Sequence, residues 1–66
     1  MTRFEALDKW MENMLNKLKN GPENLIALGW VIINNQLIEQ RDKNLITEKE
    51  YDILHNKGLK ELNFEI

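Results

Sequence analysis

A compact all-α domain of three helices is the fold class that this sequence predicts, and three observations point to it. Apolar residues recur at alternating three- and four-residue intervals through the first twenty positions, as on one face of an α-helix. Gly21-Pro22 then interrupts this pattern. Thr47 is a residue type favoured at helix starts. The helices are predicted at about residues 3–19, 22–43 and 48–57 of a single domain, residues 1–66.

The first helix combines a capped start with an apolar stripe. Thr2 and Glu5 have the spacing of a capping box, in which each side chain accepts a hydrogen bond from the other residue's backbone amide. Polar side chains cover the opposite face, so the stripe is predicted to face a core. The stripe comprises Phe4, Leu7, Met11, Met14 and Leu18, with Trp10 and Leu15 beside it.

The second helix is predicted to pair antiparallel with the first across Gly21-Pro22, because proline suits the first position of a helix. Residues 24–38 carry no charge, and they are apolar on more than one side. A β-hairpin over residues 30–39, turning at Asn34-Asn35, is the alternative. We favour the helix because the residues after that turn do not alternate. Gly29 costs a helix interior about 1 kcal/mol relative to alanine, which predicts a close helix crossing there.

The third helix has the most complete start signal in the chain. Thr47 and Glu50 have the spacing of a second capping box, and these two residues are the predicted structural caps. Ile46 and Tyr51 form the hydrophobic pair that commonly flanks such a box. Asn44 tolerates the left-handed backbone that often ends a preceding helix. Together these residues predict a helix, a tight turn and another helix.

The C-terminal residues carry weaker signals. Gly58 is a natural terminator and predicts that the third helix ends at about residue 57. Leu62, Phe64 and Ile66 alternate with polar residues, a pattern typical of a strand. Over residues 58–66, a continued helix, a short strand and an extended tail all stay open.

The run LIEQRDKNLITEKEYDIL, residues 37–54, resembles the short C-terminal oligomerisation hairpin known as SHOCT. The shared pattern is a leucine-bearing helix, a turn, an apolar-Ile-Thr cap, an acidic pair, an aromatic residue and a second short helix. Asn44 stands where that family usually has glycine, and Gly58-Leu59-Lys60 meets the later part of the pattern only loosely. The resemblance, over residues 37–59, implies an oligomerising or protein-binding module and does not extend to residues 1–30.

Composition excludes several classes of function. The 66 residues include no cysteine or serine, one histidine, nine basic and eleven acidic residues, for a net charge of −2. Disulfides and thiolate metal sites are therefore excluded, and the chain has no nucleophile motif or phosphate-binding glycine loop. Glu48, Glu50 and Asp52 at a helix start are better explained by the helix dipole than by a calcium site. We expect no enzymatic activity, no cofactor and no bound metal.

A chain this small usually needs stabilisation beyond its own hydrophobic core. Because the composition excludes disulfides and thiolate metal sites, self-association or binding to a protein partner is the expected source of that stabilisation. We therefore expect a small non-enzymatic protein-binding regulator or adaptor that forms a homo-oligomer, with a dimer favoured, through apolar surface on helices 1 and 2. For both tryptophans a place in the hydrophobic core is the favoured interpretation, and a hot spot on a binding surface is the alternative. The candidate interface residues are Phe4, Leu7, Trp10, Met11, Met14 and Trp30.

A small DNA-binding regulator is the main alternative, with helices 2 and 3 as a helix-turn-helix pair. Five acids within residues 44–66 argue against phosphate contacts, so nucleic acid is not an expected partner. An acidic inhibitor of a nucleic-acid-binding protein would need a concentrated negative face, which eleven acids against nine bases do not establish. The polar residues available to a DNA groove would be Thr47, Lys49, His55, Asn56, Lys57 and Lys60.

Location and origin rest on composition alone. Residues 24–38 fall short of the roughly 20 apolar residues that a membrane span needs, so a membrane is not an expected partner. Glu5, Asp8 and Glu12 are unlike a secretory signal, and we expect a cytoplasmic location. A cysteine-free chain rich in Asn, Lys, Glu and Ile is typical of AT-rich bacteria or of their phages and plasmids.

Overall fold

The structure, a computed structural model, describes residues 2–64 as three helices. They are α1 (Arg3–Lys19), α2 (Ile26–Asp42) and α3 (Glu48–Glu61), with a 3-10 turn, Glu23–Leu25, before α2. The described residues contain no strand. The all-α three-helix prediction is therefore confirmed, and the hairpin alternative for residues 30–39 is wrong.

Both predicted capping boxes are formed. At the start of α3 the Glu50 amide donates to Thr47 Oγ1 over 3.0 Å, and the Thr47 amide donates to Glu50 Oε1 over 2.8 Å. Thr2 and Glu5 exchange the same two bonds at the start of α1. The bond from the Thr2 backbone lowers the pKa of Glu5, because it favours the charged carboxylate. The stability that the charged Glu5 carboxylate contributes through this bond is lost as the pH falls through the lowered pKa.

The second and third helices end in the same way, at an asparagine with left-handed backbone. The φ angle is 60° at Asn44 and 59° at Asn63. After α2, the Asn44 amide donates to the Arg41 carbonyl and the Leu45 amide to the Gln40 carbonyl, each over 2.9 Å. This pair of bonds is a Schellman motif, which satisfies carbonyls at a helix end. The prediction for Asn44 is confirmed.

Two predicted helix ends differ from the structure. The start of α2 lies later than predicted because Pro22 stays extended, with ψ of 135°, and the next three residues form the 3-10 turn. The end of α3 lies beyond Gly58, which is a buried helical residue and not a terminator. The helical alternative for residues 58–61 is thereby confirmed. The strand and extended-tail alternatives also included residues 65 and 66, which lie outside the residues that the structure describes.

The core lies where the three helices meet, and each helix packs against the other two. The turn between α2 and α3 adds one side chain to it, Ile46, which is 4% exposed. Within the described residues the buried apolar side chains are Leu7, Met11, Leu15, Trp30, Ile33, Leu37, Ile46, Leu54 and Leu62.

Two glycines set how closely the helices approach. A Cβ added at Gly29 would lie 2.2 Å from Leu18 Cδ2, so the predicted close crossing of α1 and α2 is confirmed. Since Leu18 lies near the end of α1 and Gly29 near the start of α2, these helices are antiparallel, as predicted. A Cβ at Gly58 would lie 2.3 Å from Trp30 Cζ3, so α3 lies equally close to α2.

Thr47→Val keeps the shape of the cap residue and removes the acceptor of the Glu50 amide. We expect a loss of about 0.5–2 kcal/mol in the free energy of unfolding, measured by urea denaturation. Glu48→Gln changes an exposed residue in the same helical turn that takes no part in the box, and it serves as the control. An unchanged urea midpoint for Thr47→Val would contradict the importance of this cap.

Gly58→Ala is expected to destabilise the fold more than Gly29→Ala. Both changes gain about 1 kcal/mol of helix propensity. The new methyl group at position 58 meets the rigid indole of buried Trp30, and such overpacking costs about 1–3 kcal/mol. At position 29 it meets the flexible end of Leu18, which is only half-buried. Urea denaturation of both variants tests the order, and a Gly58→Ala protein as stable as Gly29→Ala would contradict it.

Candidate interaction surface

The structure separates the six sequence-predicted interface residues into two groups. Three of them, Leu7, Met11 and Trp30, are buried in the core of the single chain. Their side chains therefore hold the helices together and are not presented to a partner. The other three belong to α1 and are half-buried at the edge of the core, and they are Phe4, Trp10 and Met14.

The three most exposed large apolar side chains of the described residues lie on α2. Leu28 is 60% exposed, Ile32 is 56% exposed and Val31 is 51% exposed. Leu25, in the preceding 3-10 turn, is also about half exposed. We call these four residues the outer face of α2. None of them was among the sequence-predicted interface residues.

The outer face exists because α2 is apolar on opposite sides. Trp30, Ile33 and Leu37 point into the core, and the three- and four-residue spacing between them is the helical repeat. Leu28 and Ile32 lie one turn apart on the other side, where none of the three described helices covers them. A helix that is apolar all round is normally buried on all sides. The sequence signal was present in the uncharged run of residues 24–38.

A groove between α1 and α2 extends this surface toward Trp10. It has a volume of about 390 Å³. Gln36, which lines it, lies one helical turn after Ile32, so the groove borders the outer face of α2. The half-buried Trp10 thus lies at the edge of an apolar surface. The lining residues are Arg3, Ala6, Leu7, Trp10, Gln36 and Gln40.

The single histidine packs between two aromatic side chains of α2 and α3. The His55 ring lies 5.5 Å from the rings of both Trp30 and Tyr51, centroid to centroid. Arg41 Cζ lies 4.5 Å from the centroid of the Tyr51 ring, within cation–π range. Tyr51 Oη donates a hydrogen bond of 3.0 Å to Asn34 Oδ1. These contacts give His55 a packing role between the two helices.

Two of the lysines are held in ion pairs between α3 and α1. Lys57 Nζ lies 2.7 Å from Asp8 Oδ1 and 3.0 Å from Glu12 Oε2, so this lysine joins α3 to α1. The hydrogen bond to Asp8 raises the pKa of Lys57, and its stabilising contribution is lost as the pH rises through that raised pKa. Lys19 is paired with Glu61 over 3.1 Å. Each of these lysines therefore has a neighbouring acid that would repel a phosphate.

Three of the six residues available to a DNA groove are engaged in the fold. Thr47 caps α3, His55 packs between two aromatic rings, and Lys57 is ion-paired. Lys49, Asn56 and Lys60 are exposed, but they lie on a helix whose first turn carries Glu48 and Glu50. The structure thus leaves few cations on this helix for a phosphate backbone.

Other kinds of site find no support within residues 2–64. No group of three histidine or acidic side chains lies close enough there to hold a metal ion. None of the described helices is both long enough and apolar enough to cross a membrane. No protein-family model, curated protein or solved structure matches the chain.

We expect no measurable binding to duplex DNA at physiological salt, even at tens of micromolar protein. Phosphate recognition needs clustered cations, but in this protein Lys19 and Lys57 each lie beside an acidic side chain that would repel a phosphate. Fluorescence anisotropy with a pool of random duplexes tests the non-specific binding that any DNA reader shows first. Binding that falls steeply with added salt would contradict this expectation, and Lys49 and Lys60 would then be the first residues to replace.

Proposed function

We propose that this protein is a small non-enzymatic protein-binding module that self-associates through the outer face of α2. The observation that carries the proposal is the half-exposed apolar cluster of Leu25, Leu28, Val31 and Ile32. These four side chains lie together on a chain of only 66 residues. Contiguous apolar surface of this kind commonly marks a protein-binding site.

A second copy of the same chain fits this surface because the surface carries no charge. The outer face lies within residues 24–38, which contain no acidic or basic side chain. Two such faces can meet without bringing like charges together. The same patch on both subunits then forms one symmetric interface, the commonest arrangement among homodimers.

The expected association is weak. Full burial of a leucine, valine or isoleucine side chain stabilises by about 1.5–3 kcal/mol, so burying its exposed half contributes on the order of 1 kcal/mol. Loss of translational and rotational freedom opposes this gain on association. We expect self-association at tens of micromolar protein or above, and not at nanomolar concentrations.

Ile32→Glu places a charge at the centre of the outer face and is expected to weaken self-association at least tenfold. Ile53→Glu is the matched control, because Ile53 is 50% exposed, as Ile32 is 56% exposed, but lies on α3. Sedimentation equilibrium over a range of concentrations should give masses above the 7.9 kDa monomer for the parent and the control. Circular dichroism checks that both variants fold.

Two results would count against the proposal. A parent chain that stays monomeric up to millimolar concentration would show that no self-association occurs, and a different protein would then be the expected partner of this face. If Ile32→Glu and Ile53→Glu weakened self-association equally, the placement of the interface on the outer face of α2 would be contradicted.

A further inference from the structure

The outer face of α2 has a spacing that specifies how two copies pair. Leu25, Leu28, Ile32 and Asn35 follow one another at intervals of three, four and three residues. This is the alternation of a and d positions in a coiled coil, with Leu25 and Ile32 at a, and Leu28 and Asn35 at d. Leu28, Ile32 and Asn35 form a short seam on the side of α2 away from the core, and Leu25 precedes it in the 3-10 turn.

We infer that two copies pair through parallel, in-register α2 helices, with Asn35 facing the partner's Asn35. The inference rests on the proposed function, since it assumes that the outer face of α2 is the interface. It adds the direction and the register of the helix pair, which the apolar cluster alone does not specify.

The apolar seam positions favour a parallel pair of two helices. A β-branched residue at a combined with leucine at d favours two-stranded parallel coiled coils, and Ile32 with Leu28 meets that rule. The positions beside the seam, Val31 and Gln36 among them, carry no charge. Two identical chains can therefore lie side by side without repulsion between like charges at these positions.

Asn35 distinguishes the parallel pair from the antiparallel one. It is exposed, and its side chain makes no hydrogen bond within residues 2–64, whereas neighbouring Asn34 accepts one from Tyr51. In a parallel pair the two Asn35 amides meet, and each can donate to the other. In an antiparallel pair with Leu28 opposite the partner's Ile32, Asn35 lies opposite the partner's Leu25. An amide placed against an apolar side chain loses hydrogen bonds to water without replacement.

The seam ends at Asn35. The next position of the repeat is Glu39, whose carboxylate lies 2.6 Å from Lys43 Nζ in the same helix. A charged side chain at that position ends the apolar contact, while the ion pair reduces repulsion between the two copies. The inferred contact therefore spans about 10 Å of helix, from Leu28 to Asn35, with Leu25 of the preceding 3-10 turn at its start.

Substitutions of opposite charge at position 35 test whether Asn35 of one copy contacts Asn35 of the other copy. Asn35→Asp and Asn35→Lys are each expected to weaken self-association, because like charges meet in each homodimer. Mixing the two variants should give heterodimers at least tenfold tighter than either homodimer, measured by sedimentation with one variant carrying a fluorescent label. Asn56→Asp mixed with Asn56→Lys is the matched control, since Asn56 is exposed on α3, and it should show no such gain.

A distance measurement gives the direction of the helices independently. A spin label on Asp42→Cys is chemically unique, because the chain has no other cysteine. In the parallel pair the two labels lie side by side, at a distance set by helix axes about 8–10 Å apart. In the antiparallel pair they are separated by about 36 Å along the helix axis.

The outcomes separate this inference from the function on which it rests. A short distance between the labels together with a gain on mixing supports the parallel pair. A dimer with the long distance, or with no gain on mixing, overturns the parallel arrangement and leaves self-association intact. A chain that is monomeric in the same sedimentation runs overturns both.

Discussion

The contact between Trp30 of α2 and Gly58 of α3 is the constraint on which the rest of the structure depends. A Cβ at Gly58 would lie 2.3 Å from the Trp30 ring, so only glycine allows α3 to lie this close. The indole is 8% exposed, and its position fixes the rotation of α2 about its own axis. Once Trp30 faces the core, Leu28 and Ile32 must face outward, because residues two positions away lie on a different side of a helix.

Polar contacts around this packing fix how the helices are arranged without adding a chemical site. Tyr51 donates a hydrogen bond to Asn34 of α2, and Lys57 pairs with Asp8 and Glu12 of α1, so α3 is tied to both other helices. The ion-paired side chains are partly exposed, so these pairs contribute little to net stability. Their effect is to hold Lys57 beside two acids.

The surface left by this fold explains why the proposed function is binding. A 66-residue chain buries a smaller fraction of its surface than a larger domain does, and an uncovered apolar helix face adds to the exposed apolar area. Association of two copies would cover that face and add stability that depends on protein concentration. Oligomer formation and fold stability are therefore expected to be linked in this protein.

The sequence by itself determined the three helices, both capping boxes, the left-handed turn at Asn44 and the close crossing at Gly29. These features depend on residues near one another in the chain, or on the cost of glycine inside a helix. Only the tertiary structure decided that Gly58 continues α3, since that glycine is required by contact with a residue 28 positions earlier. It also decided which apolar residues are left outside. Leu7, Met11 and Trp30 have the same chemical character as Leu28 and Ile32, and only the packing of all three helices buries the first group and exposes the second.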